Sequence, residues 1–316
     1  MAEWKRIKNS PDELEERETS KKSKENSVEF FPEEPKYNFD EIILPQSVKD
    51  KILDVTNYVE NSKKVFEEWG LQKVYKQSKR IGINLYGAPG TGKTMAAHAI
   101  AKFLGRKILI VNYADIESKY VGETPKNIRK AFETATATNS ILFFDEADAI
   151  LSKRVTGMQS AHDVSVNQTR SVVLMLMNDY QDFVIFATNF IENFDPAFMR
   201  RISTHIEFKL PDLECRKKLW QHYILPTMPN KIDIEELAEK YDGISGSDIS
   251  NAVLMAAFKT ARQNAEFVDK KFVFEMVEEI IASKNANQGV TVEKRKISKS
   301  EFEEKMAKKD KEVNQT

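Results

Sequence analysis

Residues 87–94 of this 316-residue chain read Gly87-Ala88-Pro89-Gly90-Thr91-Gly92-Lys93-Thr94. They satisfy G-x-x-x-x-G-K-[ST] at every specified position. The apolar run Ile81 to Leu85 before them predicts a strand, and Met95 to Leu104 after them predicts a helix. A strand, a glycine-rich turn and a helix in that order commit this part of the chain to an α/β unit. The chemistry of the turn narrows it further. Glycines let the backbone curl until successive N–H groups point inward at phosphate oxygens, and the helix adds the positive end of its dipole. Lys93 supplies a mobile positive charge for β- and γ-phosphates, and the Thr94 hydroxyl is a ligand for Mg²⁺. The expected nucleotide contacts are therefore residues 87–94 together with Met95.

Composition bounds the rest. Forty-eight Lys and Arg against 49 Asp and Glu leave a net charge of −1. That balance argues against a dedicated nucleic-acid binder, although it leaves room for a local basic patch. With one cysteine, Cys215, no disulfide can form within the chain. The four histidines are scattered without metal-ligand spacing, so no zinc site is expected. No apolar run is long enough to cross a bilayer, and the N-terminus lacks a signal-peptide core. The expectation is a cytoplasmic protein without a membrane anchor.

Along the chain, residues 1–38 are charged and rich in Ser, Glu and Lys, and are expected to form a disordered tail. Trp4 and the Phe30-Phe31-Pro32 cluster interrupt it. They either pack on the folded body or form a docking motif. From 39 to 211 short apolar strands alternate with amphipathic stretches such as Thr124–Ala137 and Val164–Met177. The strands are expected at Ile81–Leu85, Lys107–Val111, Ser140–Phe144, Phe183–Ala187 and His205–Phe208. Such alternation implies a five-stranded parallel sheet covered on both faces. From 212 to 283 strands are expected to stop. Four helices follow, over Asp212–Tyr223, Asp233–Lys240, Gly246–Gln263 and Lys271–Ser283, with Asp212 and Ser245 as N-caps. Residues 284–316 return to a charged tail.

A second nucleotide element is Ile141-Leu142-Phe143-Phe144-Asp145-Glu146, four apolar residues ending in two acids. A buried strand would carry Asp145 to the phosphates, where it would hold Mg²⁺. Glu146 would orient and deprotonate the attacking water. About fifty residues separate this Walker B element from the phosphate loop, room for one inserted strand. The run Asp145-Glu146-Ala147-Asp148 also spells the DEAD-box helicase signature. Those enzymes need a second RecA-like domain, which the helical region after Pro211 cannot supply.

With these residues the chain resembles the AAA family in its narrow sense, the group of katanin, spastin, the ESCRT-disassembling ATPase and FtsH, over about residues 39–265. It is most similar to stand-alone, single-module, bacterial-type members. The resemblance implies an α/β P-loop ATPase domain with the additional catalytic strand, a small helical lid, ATP and Mg²⁺ as ligands, and an ATP-dependent homo-hexamer. It also implies roles for further residues. Tyr120, Val121 and Gly122 fall on a pore loop that grips a polypeptide, and on the residues alone Tyr120 could equally be core. Asn189, at the end of Phe186-Ala187-Thr188-Asn189, matches the sensor of the γ-phosphate or lytic water. Arg200 and Arg201, after Phe194-Asp195-Pro196-Ala197-Phe198-Met199, match arginine fingers that reach into a neighbouring subunit. Ile202 and His205 depart from the pattern, which leaves open which arginine is the main finger. Gly246 and Ser247 fall near adenine and ribose, as does Ile42, although its neighbours lack the family's usual glycines. Residues 155–167 correspond to a second pore loop, with His162 and Asp163 facing the channel, or else to a solvated loop.

The function implied is a motor that remodels, unfolds or disassembles a protein client or adaptor-bound complex. The alternatives are a nucleic-acid motor or loader, which the near-neutral charge disfavours, as does the lack of an arginine at the lid position that clamp loaders and Holliday-junction motors use, and a slow nucleotide-controlled scaffold.

Overall fold

In the computed structural model, residues 28–74, 81–116, 123–153, 161–180, 182–190 and 194–287 are described. The apolar runs become the strands β1 (Ile81–Gly87), β2 (Ile108–Asn112), β3 (Ile141–Asp145), β4 (Phe183–Thr188) and β5 (Thr204–Phe208). They form one parallel sheet in the order β2-β3-β4-β1-β5. Each observed strand lies within two residues of its expected span, because near-continuous apolar runs have nowhere to go but the middle of a covered sheet.

Both faces are covered. Helices α1 (Gln46–Lys63) and α2 (Lys93–Phe103) bury Val48, Ile52, Val55 and the alanines 96, 97, 99 and 101 against Ile83, Leu85, Phe143 and Ile185. On the opposite face, α4 (Glu123–Thr138), which follows the single turn α3 (Tyr113–Ile116), packs with α6 (Ala161–Asp179). Ile128, Phe132, Val173 and Met177 there meet Leu142, Phe144 and Phe186. Each such fully buried side chain contributes roughly 2 kcal/mol of transfer free energy. The helix α1 escaped the sequence reading, although Val48, Ile52 and Val55 keep its core-facing spacing. It ends in a π-helical stretch, Lys64–Glu68.

A single turn, α5 (Asp148–Leu151), follows β3, and another, α7 (Pro196–Met199), precedes β5. After Pro211 come α8 (Leu213–Tyr223), α9 (Ile234–Lys240), α10 (Gly246–Arg262) and α11 (Lys270–Asn287), with a separate core around Trp220, Leu237, Ile249, Val253 and Val273. Asp212 caps α8 by accepting from Cys215 N at 2.8 Å. Ser245 and Asp248 form a capping box on α10, the reciprocal arrangement that leaves neither N–H orphaned.

Four expectations need correction. Strands do not stop at Pro211: β6 (Asn230–Lys231) and β7 (Val268–Asp269) pair in parallel, two residues each and too short to leave a periodic signal. Residues 28–38 are not free tail. Glu33 exchanges both backbone bonds with Ile108 at 2.8 and 3.0 Å, an antiparallel bridge on the edge strand β2. Phe30 packs on the core below while Phe31 stays exposed, so local packing holds for one of the pair; Trp4 lies outside the described residues. A polar composition hid this segment because its anchoring is main-chain. Of the expected loop 155–167, residues 161–167 already belong to α6. Finally, α11 runs to Asn287 and so passes the expected end of the lid at 283. Lys284 on it binds Asp248, the N3 residue of α10.

Candidate nucleotide site

The phosphate loop leaves β1 at Gly87 and enters α2 at Lys93. Gly90 and Gly92 hold φ of +76° and +98°, where an L-residue with a Cβ is strained. Lys93 is buried. Its ammonium donates to Gly87 O at 2.7 Å, Ala88 O at 3.0 Å and Asn189 Oδ1 at 3.0 Å. Burial draws its pKa below the ordinary lysine value, and the carboxylates of Asp145 and Asp148 oppose that pull. Thr91 Oγ1 donates to Ala88 O at 2.8 Å and stiffens the turn, whose outer corner is the exposed Pro89.

β3 delivers Asp145 beside α2, where Thr94 Oγ1 donates to Asp145 Oδ2 at 2.9 Å. A hydroxyl and a carboxylate converging at the phosphate loop form the all-oxygen donor set a hard divalent cation prefers. Among the described residues no group of three or more His, Cys, Asp or Glu side chains is placed to hold a metal ion. The next residue, Glu146, has φ +49°. Among the described residues, the other non-glycine residues with positive φ are asparagines, Asn139 and Asn264, which tolerate that region; a glutamate does so under strain. Its N–H donates to Asp145 Oδ1 at 2.9 Å, so the strained turn is braced from within.

Asn189 sits one residue past β4, its Oδ1 on Lys93. Strand order explains the meeting: β4 lies between β3 and β1, so their C-terminal ends bring Asp145, Glu146, Asn189 and the loop to one edge of the sheet, where open α/β sheets bind ligands.

A cleft of about 320 Å³ continues from the loop towards the helical region. Glu41, Ile42, Ile43, Leu44, Pro45, residues 90–95, Lys209, Pro211, Leu219, His222, Tyr223, Gly246 and Ser247 line it. Ile42, Met95, Gly246 and Ser247 all line it; Lys209, Leu219, His222 and Tyr223 do so too and were not foreseen, because nothing local marks them. The two halves touch at the loop: Ser247 N donates to Gly90 O at 3.3 Å. A Cβ on Gly90 would lie 2.7 Å from Ser245 Oγ and 2.9 Å from Ser247 Oγ.

The two arginines separate. Arg201 is tied into its own chain, donating to Asn178 Oδ1 and Ala197 O at 2.9 Å each. Arg200 is exposed, and its side chain makes no bond among the described residues. Tyr120, Val121 and Gly122 lie outside the described residues; so do the side chains of His162 and Asp163. His205 is half-buried with both ring nitrogens shielded from solvent, and burial lowers its pKa against a backbone hydrogen bond at Met199. Cys215 is buried, and burial with the neighbouring Asp212 carboxylate raises its thiol to about 11. No helix among the described residues is long and apolar enough to cross a membrane.

A five-stranded parallel sheet with the phosphate loop after its first strand, acids after its third and a polar amide after its fourth defines a P-loop ATPase fold. The family model described as "ATPase family associated with various cellular activities (AAA)" matches residues 83–210. Cell division protein C of Sulfolobus acidocaldarius is 32% identical over 252 residues, covering 76% of this chain and 63% of that protein. A 26S proteasome regulatory subunit 4 homolog of Oryza sativa is 36% identical over 193 residues, 58% of this chain and 42% of that one. Katanin p60 ATPase-containing subunit A1 of Strongylocentrotus purpuratus is 32% identical over 240 residues, 72% and 46% respectively. The chain thus spans between about two fifths and two thirds of the length of these relatives. Residues 83–210 match an AAA ATPase domain, and over a longer span the chain is similar to ATPases that carry one.

Proposed function

We propose that this chain binds ATP in the cleft between sheet and helices, hydrolyses it within a homo-hexameric ring, and uses the cycle to remodel or disassemble a protein client. One observation carries the reading. Lys93, Thr94, Asp145 and Asn189 converge at one strand edge, while the exposed Arg200 has no bond within its own chain among the described residues. A charged fork left free on the surface suits a site completed in trans.

In this reading Lys93 and the loop N–H groups hold the β- and γ-phosphates. Thr94 and Asp145 would hold Mg²⁺, which when bound neutralises phosphate charge. Glu146 takes a proton from the attacking water, and Asn189 orients that water or the γ-phosphate. Arg200 of one subunit stabilises charge at its neighbour's transferring phosphoryl group, and Arg201 braces the segment that presents it. Ile42, Gly246 and Ser247 border the base and ribose. Ser247 against Gly90 lets the helical region report the state of the loop. Tyr120, Val121 and Gly122 contact the client. A relative named for a proteasome supports a polypeptide client.

The test mixes inactive subunits. Arg200→Ala and Lys93→Ala proteins are each expected to lack ATPase activity alone. Combined, they should recover a fraction of it, because some interfaces pair an intact loop with an intact finger. Absence of any recovery, with assembly confirmed by light scattering, contradicts fingers in trans.

A further inference from the structure

The second aspartate of the Asp145-Glu146-Ala147-Asp148 run has no task in the mechanism above, yet it is the most heavily engaged carboxylate at the site. Asp148 accepts from Asn189 N through both oxygens at 3.1 Å, and from Phe190 N at 3.2 Å. These two N–H groups lie just past the end of β4, where the sheet ladder no longer serves them. An unmet N–H there would be costly, and an ionised acceptor makes stronger bonds than a neutral one. The carboxylate therefore decides the backbone conformation of Asn189 and with it the direction of the side chain that meets Lys93 at 3.0 Å.

Further bonds join the same two segments. Ala147 N donates to Ala187 O and Asp195 N to Leu151 O, each at 2.9 Å, and Ser152 bridges Phe194. The turn carrying Glu146, the end of β4 and the approach to Arg200 are thus stitched together, and Asp148 adds a side chain to these main-chain stitches.

We propose that Asp148 is a positioning residue for hydrolysis: it holds the Asn189 backbone so that the amide stays aligned with Lys93 and with the turn of Glu146. The proposal rests on the assignment of Asn189 as a sensor. Asp148 does not line the cleft, so its loss should affect turnover rather than nucleotide binding.

The experiment is a double-mutant cycle on the full chain, reading kcat, KM for ATP and thermal unfolding for Asp148→Ala, Asp148→Asn, Asn189→Ala and Asp148→Ala/Asn189→Ala. Asp148→Ala should lower kcat about 10- to 100-fold, the scale of bonds to a charged acceptor, with KM within about threefold of the parent. Asp148→Asn keeps one oxygen, fills the same space, and should fall between. In the double variant the second change should add less than about twofold, because both act through one side chain. Fully multiplied losses, a rise in KM matching the fall in kcat, or an unchanged kcat in Asp148→Ala would overturn the proposal while leaving the sensor assignment intact. An unchanged kcat in Asn189→Ala would remove the sensor assignment and this proposal with it. If Asp148→Ala unfolds early, the Asp148→Asn variant with unaltered melting carries the same comparison.

Discussion

The sheet body and the helical region bury polar side chains to different ends. In the helical region the buried charges are internal braces. Arg216 donates to Ala238 O, Pro211 O and Asp242 Oδ1 at 2.9 Å each, and Asp248 is satisfied by Ser245 and Lys284. In the body, Lys93 and Thr188 are buried at the strand ends that carry the phosphate loop and Asn189, and Asn84 Nδ2 and Thr169 Oγ1 are buried without a hydrogen-bond partner. Glu146 adds backbone strain. Among the described residues the helical region carries one such unpartnered atom, Trp220 Nε1; a region with strain and more unmet groups is where changes of charge can be answered. The difference suits a stiff cap working against a reactive edge.

The largest expected effect tests the reactive edge. Glu146→Gln should lower kcat by about 10²- to 10⁴-fold, the usual contribution of a positioned base, while ATP still binds by equilibrium dialysis. Normal turnover would place the base elsewhere and remove the functional reason for the strained turn.

Next comes the seam between the two regions. Gly90→Ala adds a Cβ at φ +76° into Ser245 and Ser247. It should weaken ATP binding at least about tenfold, since strain and displacement of backbone N–H groups each cost on the order of 1 kcal/mol or more. Combining it with Ser247→Gly should restore part of that affinity. Without any restoration, the loss would come from the loop alone and the two regions would not be coupled there.

A smaller effect probes the stiff cap. Arg216→Ala unpairs two carbonyls and should destabilise the helical region by about 3 kcal/mol. Hydrogen exchange should rise over residues 213–287 while the β1 and β4 amides stay protected. Uniform loss of protection would show that the cap is no separate unit.

The smallest effect concerns Cys215. With its thiol raised from about 9 to about 11, the folded state favours the neutral form. The stabilisation is therefore complete below the unfolded value and is lost as pH rises through the folded one. Alkylation at pH 8 should be slow in the native protein and fast in denaturant; fast native reaction would mean that the cap opens readily around α8.

Much of this was legible in the chain. The loop 87–94, the acids after an apolar run and the five strands are local patterns of glycine placement and hydrophobic period, and each stands where those patterns put it. The caps Asp212 and Ser245 were equally readable, because capping depends on neighbours three residues away. The anchored segment around Glu33 was not, since main-chain bonds to an edge strand leave no mark on side-chain composition. Nor were the cleft residues Lys209, Leu219, His222 and Tyr223, which lie far in sequence from the loop they face.

By itself, then, the sequence determined which segments are strands and helices, where phosphate is to be held and which acids lie near it. Short-range forces settle those things: backbone sterics, burial of apolar runs, satisfaction of N–H groups within a turn. Only the tertiary structure decided which groups meet. Inserting β4 between β3 and β1 places Asn189 on Lys93, 96 residues away in sequence. It brings Asp148 under the end of a strand 41 residues ahead, and the fold ties Arg201 down while leaving Arg200 in solvent. Such pairings depend on strand order, which is set by the packing of whole faces and is not encoded in any one segment.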